Sequence, residues 1–452
     1  MDLAKECRSF LDKHPATVAV ELLLTDPCGI ARGKQIGREE LPGLFDHGRY
    51  VAGSILGLDA TGEDVEGTGL VWSVGDADRL CRPVPNTLVV APWHLRPTAQ
   101  VIGTMYELDG RPFAADPRHV LARVVERLAS DGFTAVVAAE LEFYLLARGP
   151  DGALAPAPGQ RSGRNRPNVD VYGLGKIEDM EPVFAEIFAT AESQGVPART
   201  VMSEYAPGQF EITLLHRSDA MRAIDEAILF KRLVRGVAAR HGLVACFMAK
   251  PFEQHAGSGL HLHASLADAA GRNVFADPAP EGSELLRHAV GGLRSTLAES
   301  MLVFAPNANS YRRFRRQSYA PVTPCWGVNN RSVSLRIPAG PPSSRHVEHR
   351  VSGADANPYL VAAVVLAGMH AGIQARMEPG PPVTGNAYLQ PVDEALPLDW
   401  AAAIQRAADS EFLHETFGAE FLRVLLAIKR QEYERFNARV GEVDYEWYLD
   451  TV

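Results

Sequence analysis

The period of apolar and polar positions changes along the chain, and the changes divide it. Short β-rich runs at Thr17 to Leu24, Leu88 to Ala91 and Gln100 to Glu107 are separated by turns bearing glycine and proline, which predicts a small strand domain over residues 16–113. The period then becomes helical. Asp116 before Pro117 reads as an N-cap with proline in the first turn, and Val120, Leu121, Val124, Val125 and Leu128 recur on one helix face. The run Phe133 to Leu146, with Thr134, Val136, Val137, Phe143 and Tyr144, predicts a strand. Gly149 to Pro167 is rich in proline and glycine and predicts a long loop that is mobile until ligands bind. Ala206-Pro207-Gly208 predicts the turn of a hairpin. Ile224, Ile228, Leu229, Val234 and Val237 predict a second amphipathic helix, and an apolar third helix should follow Asn357-Pro358-Tyr359. No internal repeat is visible. The expected class is α+β, with a second, larger domain over 114–452.

With 452 residues, 46% of them apolar and 22% charged, the chain can bury a large core. Five cysteines, at positions 7, 28, 81, 246 and 325, form no CxxC, so neither a disulfide framework nor a zinc cluster is expected. The longest apolar run, Leu360 to Gly368, is too short to span a bilayer and no signal-peptide pattern opens the chain, so no membrane partner and a cytoplasmic location are expected. A net charge of -10 counts against a nucleic-acid partner, although Arg312-Arg313 with Arg315-Arg316 forms one basic cluster.

The chemistry concentrates in four stretches. Glu140 and Glu142 alternate on the predicted strand and so share a face, where two like charges need a proton or a counter-charge. Taken alone, such a pair also reads as a solvated strand face. Glu204 and Glu211 flank the hairpin turn, which adds a second pair. His261 and His263 follow Gly257-Ser258-Gly259 and alternate with leucines, and Val347-Glu348-His349-Arg350 supplies a fifth carboxylate. Five glutamates and a histidine, His261, suit two hard divalent cations, Mg2+ or Mn2+, which take oxygen ligands with an occasional imidazole.

These stretches lie among further landmarks in a fixed order: Arg32-Gly33-Lys34, Asp116-Pro117-Arg118, Met248-Ala249-Lys250-Pro251, Asn309-Ser310-Tyr311-Arg312-Arg313, Asn330-Arg331-Ser332 with Arg336, and Asn357-Pro358-Tyr359-Leu360. Over nearly its whole length the chain resembles the glutamine synthetase superfamily. That resemblance implies an N-terminal beta-grasp domain (16–113) and a catalytic domain (114–452) with an antiparallel sheet funnel and helices. It implies that Glu142, Glu204 and Glu211 hold the metal near the acceptor carboxylate, and that Glu140, His261 and Glu348 hold the metal on the nucleotide. Gly257, Arg313 and Arg350 match glutamate-binding positions, while His263, Ser265, Arg331 and Arg336 match positions around ATP and the transferred phosphoryl group, the two arginines counting also, with Tyr319, as catalytic. The implied reaction is ATP-dependent phosphorylation of the glutamate side chain followed by displacement of phosphate by an amine, within a ring oligomer, a dodecamer in this family.

The chain departs from ammonia-using members where ammonium is caged. Val51 stands against an aspartate, Tyr319 stands in the mobile flap where a glutamate belongs, and Ala256 replaces an asparagine. A small cation needs carboxylates to hold it and take its proton, so these changes resemble the gamma-glutamylputrescine synthetase group, which uses polyamines or monoamines. Arg315-Arg316 makes this flap more basic than in that group. Asp59, Glu63, Asp64 and Glu66 are candidates to meet the far ammonium of a diamine, or a solvated loop. An ammonia-using glutamine synthetase and a catalytically silent scaffold stay open as alternatives. Asn386-Ala387-Tyr388 faintly resembles the nucleotidylated-tyrosine loop of some members of that superfamily, but is read as a surface tyrosine.

Overall fold

The computed structural model describes residues 3–391 and 396–452, and its strands fall into two sheets. The first comprises β1 (Ala19–Thr25), β2 (Ala31–Gly37), β3 (Arg49–Ala52), β4 (Asp78–Pro83), β5 (Val89–Val90) and β6 (Thr98–Tyr106), in the order β2-β1-β6-β4-β3 with β5 on β6. The predicted runs lie at β1, β5 and β6. β2 was not predicted because, as an edge strand, it buries only Ile36 and its sequence is otherwise polar or small. Val20, Leu22, Leu24 and Val101 from this sheet share a core with Val424 and Ile428 of the helix Ala419–Asn437.

Asp116 caps the helix Pro117–Ser130 by accepting from Arg118 N at 2.8 Å. The same carboxylate accepts from Thr104 Oγ1 and Met105 N, both at 2.8 Å, and so ties the helix to β6. The second sheet comprises β7 (Thr134–Arg148), β8 (Leu154–Pro156), β9 (Ala198–Ser203), β10 (Gln209–Leu214), β11 (Val244–Cys246), β12 (Leu260–Ala267), β13 (Trp326–Val328), β14 (Leu335–Ile337) and β15 (Val347–His349). Its order is β13-β14-β15-β12-β7-β10-β9, with β8 and β11 also on β7; among the described residues only β13 and β14 pair in parallel in this sheet. On β7 the odd positions Val137, Leu141 and Phe143 are buried in the main core while Glu140 and Glu142 face the other way, as strand alternation requires.

The segment 149–167 is more ordered than its composition suggests. β8 pairs with β7, and the buried Asp179 carboxylate accepts from Ser162 N at 2.9 Å and Arg166 Nε at 2.8 Å, which anchors the rest. The apolar helix expected after Asn357 is Pro358–Gln374, buried along nearly its whole length. Among the described residues no helix is long and apolar enough to cross a membrane, and all five cysteines are free. Tyr388 is not a surface tyrosine: it is buried, and its hydroxyl donates to Ala320 O at 3.0 Å.

Candidate active site

Strand register gathers the acidic side chains. Across β7 and β10, Glu142 stands opposite Glu211; across β7 and β12, Glu140 stands opposite His261. Glu348 on β15 then faces His263 on one side and Arg336 of β14 on the other. The ligand atoms of Glu140, His261 and Glu348 lie within 4.8 Å of one another, as do those of Glu142, Glu211 and His261, so the single imidazole is common to both groups. His261 Nδ1 is 2.7 Å from Glu140 Oε1. Glu204 joins neither group. It follows β9, and its carboxylate turns back to accept from Tyr205 N at 3.3 Å.

The two groups differ in how their charge is balanced. Burial opposes ionisation of Glu348, but the Arg350 guanidinium and the two histidines take its carboxyl down to about 2. Arg336 Nη1 also donates to it at 2.7 Å. Burial likewise opposes ionisation of Glu140, yet hydrogen bonds from His261 and His263 hold that carboxyl well below the usual range. At the other end no arginine among the described residues is ion-paired with the carboxylates. Burial, then the charges of its glutamate neighbours, push the Glu211 carboxyl well up, and burial with the Glu142 charge takes Glu204 to about 8. Clustered oxygen donors that must otherwise hold protons are the donor set of a hard divalent cation, so the residues fit Mg2+ or Mn2+.

These groups floor a cavity of about 780 Å³. Every candidate metal ligand lines it, Glu204 included, together with Gly257, Arg313, Arg350, Arg331, Arg336 and Tyr319. His263 and Ser265 do not line it; they continue the His261 face of β12 beyond the cavity. The Gly257 loop is held close. A Cβ at Gly257 would stand 2.6 Å from Ala249 O and 2.7 Å from Arg313 Cγ, so only glycine lets Arg313 pass. Gly259 N donates to Glu142 Oε2 at 2.7 Å, and Gln209 Nε2 donates to Gly257 O at 2.9 Å. Arg313 Nη1 donates to Val351 O at 2.7 Å. Arg336 Nε and Arg350 Nε are buried without a hydrogen-bond partner among the described residues, leaving donors over for an anion.

Residues 114–448 match the family model described as glutamine synthetase, catalytic domain. The chain belongs to the glutamine synthetase family. As a member it is an ATP-dependent ligase acting on glutamate. It is 39% identical to gamma-glutamylputrescine synthetase of Escherichia coli (strain K12), over 98% of this chain and 94% of that one. It is 33% identical to glutamate–isopropylamine ligase of a Pseudomonas species, over 98% and 97%. Among solved structures, one described as a GmaS/ADP complex superposes with a TM-score of 0.86 at 28% identity, covering 99% of each chain.

Two expectations about the amine end change. Val51 is 2% exposed and packs in the core of the first sheet, so on β3 it is Tyr50, 63% exposed, that faces outward. Asp59, far from being a free acid, is buried and ion-paired with Arg435, which also holds Glu63 at 2.6 Å. Tyr205 was not singled out, although it adjoins Glu204. Its ring packs against that of Tyr319, tilted by 38° with 5.4 Å between centroids, and the two tyrosines, 41% and 47% exposed, stand together at the cavity wall. His346 was also missed. Its position two residues before Glu348 in an extended segment, and hence on the same face, was the available signal.

Proposed function

We propose that this family member joins the gamma-carboxylate of L-glutamate to an organic amine, putrescine or a related polyamine or monoamine, through gamma-glutamyl phosphate, with release of ADP and phosphate. The observation that carries the amine reading is the Tyr205–Tyr319 pair, an aromatic wall where an ammonium cage would need a carboxylate. The relatives named above act on putrescine and isopropylamine by their descriptions, which supports an organic amine.

In this reading Glu142, Glu204 and Glu211 hold one divalent ion beside the acceptor carboxylate, and Glu140, His261 and Glu348 hold the other on the nucleotide. Such ions, when bound, spread the negative charge of the transferring phosphoryl group. Arg313, Arg350 and the Gly257 loop orient glutamate, and the spare Nε donors of Arg336 and Arg350 meet developing negative charge. Arg331 lines the same cavity and acts on the phosphoryl group, while His263 and Ser265 serve the nucleotide. The tyrosine pair covers the stem of the amine. Each methylene it buries is worth ~0.8 kcal/mol, or about fourfold in KM. We further take 16–113 and 114–452 as the two domains, a cytoplasmic ring, a dodecamer, as the working assembly, and light scattering as its check.

The experiment is ATP-dependent phosphate release with glutamate and a panel running from ammonium through alkylamines to putrescine. An organic amine should saturate the enzyme well below the ammonium concentration needed for the same rate. Tyr319→Ala should raise KM for that amine several-fold and leave KM for ATP alone. If millimolar ammonium served as well as every organic amine, the chain would be a glutamine synthetase proper.

A further inference from the structure

His263 Nδ1 lies 3.0 Å from His346 Nε2, and His346 Nδ1 lies 2.7 Å from Ser344 O. A carbonyl oxygen can only accept, so the hydrogen of a neutral His346 sits on Nδ1, and its Nε2 has a lone pair to offer. His263 must then donate from Nδ1, which aims its Nε2 at Glu140 Oε2, 3.3 Å away. The direction of this chain is built into the backbone. Asn273 Nδ2 donates to Ser343 O at 3.1 Å and to Arg345 O at 2.7 Å, gripping the segment on both sides of Ser344. The buried Arg345 adds bonds to Ala279 O at 3.2 Å and Gly340 O at 2.9 Å. The Ser344 carbonyl is therefore not free to turn.

We infer that His346 is a positioning residue for nucleotide binding: the bond it accepts from His263 Nδ1 fixes which way that ring faces. A ring's orientation is set by the bonds its two nitrogens make, and here the Nδ1 bond goes to a second histidine held by a clamped carbonyl. Without it, His263 can turn over, and its second nitrogen no longer addresses the Glu140 end of the site. The inference rests on the reading of His263 as a nucleotide residue, and the test separates the two.

Equilibrium binding of a fluorescent ADP analogue in the presence of Mg2+, and KM values for ATP and glutamate, are measured on the full-length enzyme and three variants. His346→Phe keeps a ring against His263 but cannot accept a hydrogen bond. His346→Gln can place its amide oxygen where Nε2 stands and accept from His263. His263→Ala removes the positioned ring. The Phe variant should bind nucleotide about tenfold more weakly and show a matching rise in KM for ATP, with KM for glutamate unchanged. The Gln variant should stay within about twofold of the parent, since it restores the accepted bond. Parent-like binding by the Phe variant, a Gln variant as weak as the Phe variant, or equal losses for ATP and glutamate would each overturn the positioning role. If His263→Ala weakens nucleotide binding while His346→Phe does not, only the relay is wrong. If His263→Ala binds nucleotide normally, the nucleotide reading of His263 fails and the relay falls with it.

Discussion

Glu204 and Glu211 release their protons late in the folded, metal-free protein because burial and neighbouring carboxylates oppose their charge. An acid whose folded pKa lies above its unfolded value adds stability below the unfolded value and loses it as pH rises through the folded one. For Glu204 that window runs from the ordinary carboxyl value of 4.5 to about 8, and Glu211 acts in the same direction. The melting temperature of the metal-free protein should carry a downward contribution across that range, and added Mg2+ or Mn2+ should remove it; an equal slope with and without metal would contradict the cation assignment. Glu142→Ala and Glu211→Ala should each abolish phosphate release and shrink the thermal shift produced by metal. The carboxylates were legible in the sequence because strand alternation and the hairpin turn place them on a shared face. Tyr205 was not, because nothing in its neighbourhood distinguishes a wall of the site from an exposed turn residue. Val51 misled because a motif position was taken as a facing position, whereas alternation along β3 turns it into the core.

At the scale of elements, the β9–β10 hairpin sets the spacing of Glu204 and Glu211. Its Gly208 has φ of 70°, and a Cβ there would stand 2.8 Å from Leu145 O on β7 and 3.1 Å from Pro156 Cβ on β8. Gly208→Ala therefore combines left-handed backbone strain with a backbone clash, and should cost about 1–3 kcal/mol. A lowered melting temperature together with weakened metal dependence of activity would be the signature, and a variant indistinguishable from the parent in both would remove the hairpin from its positioning role. Elements with a long or capped pattern were readable: β7, the hairpin, and the helix behind Asp116-Pro117. The three-residue strands β13, β14 and β15 were not, since so short a run has no period to detect and is held in place by its neighbours. The same holds for β8, which sits in a segment whose prolines and glycines argue for loop and whose order comes from Asp179.

At the scale of the molecule, the two ends of the chain meet. Arg435 holds both Asp59 and Glu63, Lys429 Nζ donates to Cys28 Sγ at 3.2 Å, and Glu432 accepts from Ala60 N at 2.8 Å. Arg435→Ala leaves the buried Asp59 carboxylate without its counter-charge, though Thr61 and Glu63 N still bond it, so the cost should be about 1–3 kcal/mol. Faster proteolysis of the first sheet in that variant would be the measurable result, and unchanged cleavage would show that the clamp contributes little. No local pattern announces such pairing, because its partners stand some four hundred positions apart. During synthesis the first sheet leaves the ribosome early, while Val424 and Ile428, which complete its core, follow only near the end. The nascent chain therefore carries that core without these two side chains for almost the whole of translation, and their docking should be a late step of folding, sensitive to elongation rate and to chaperones that shield apolar surface.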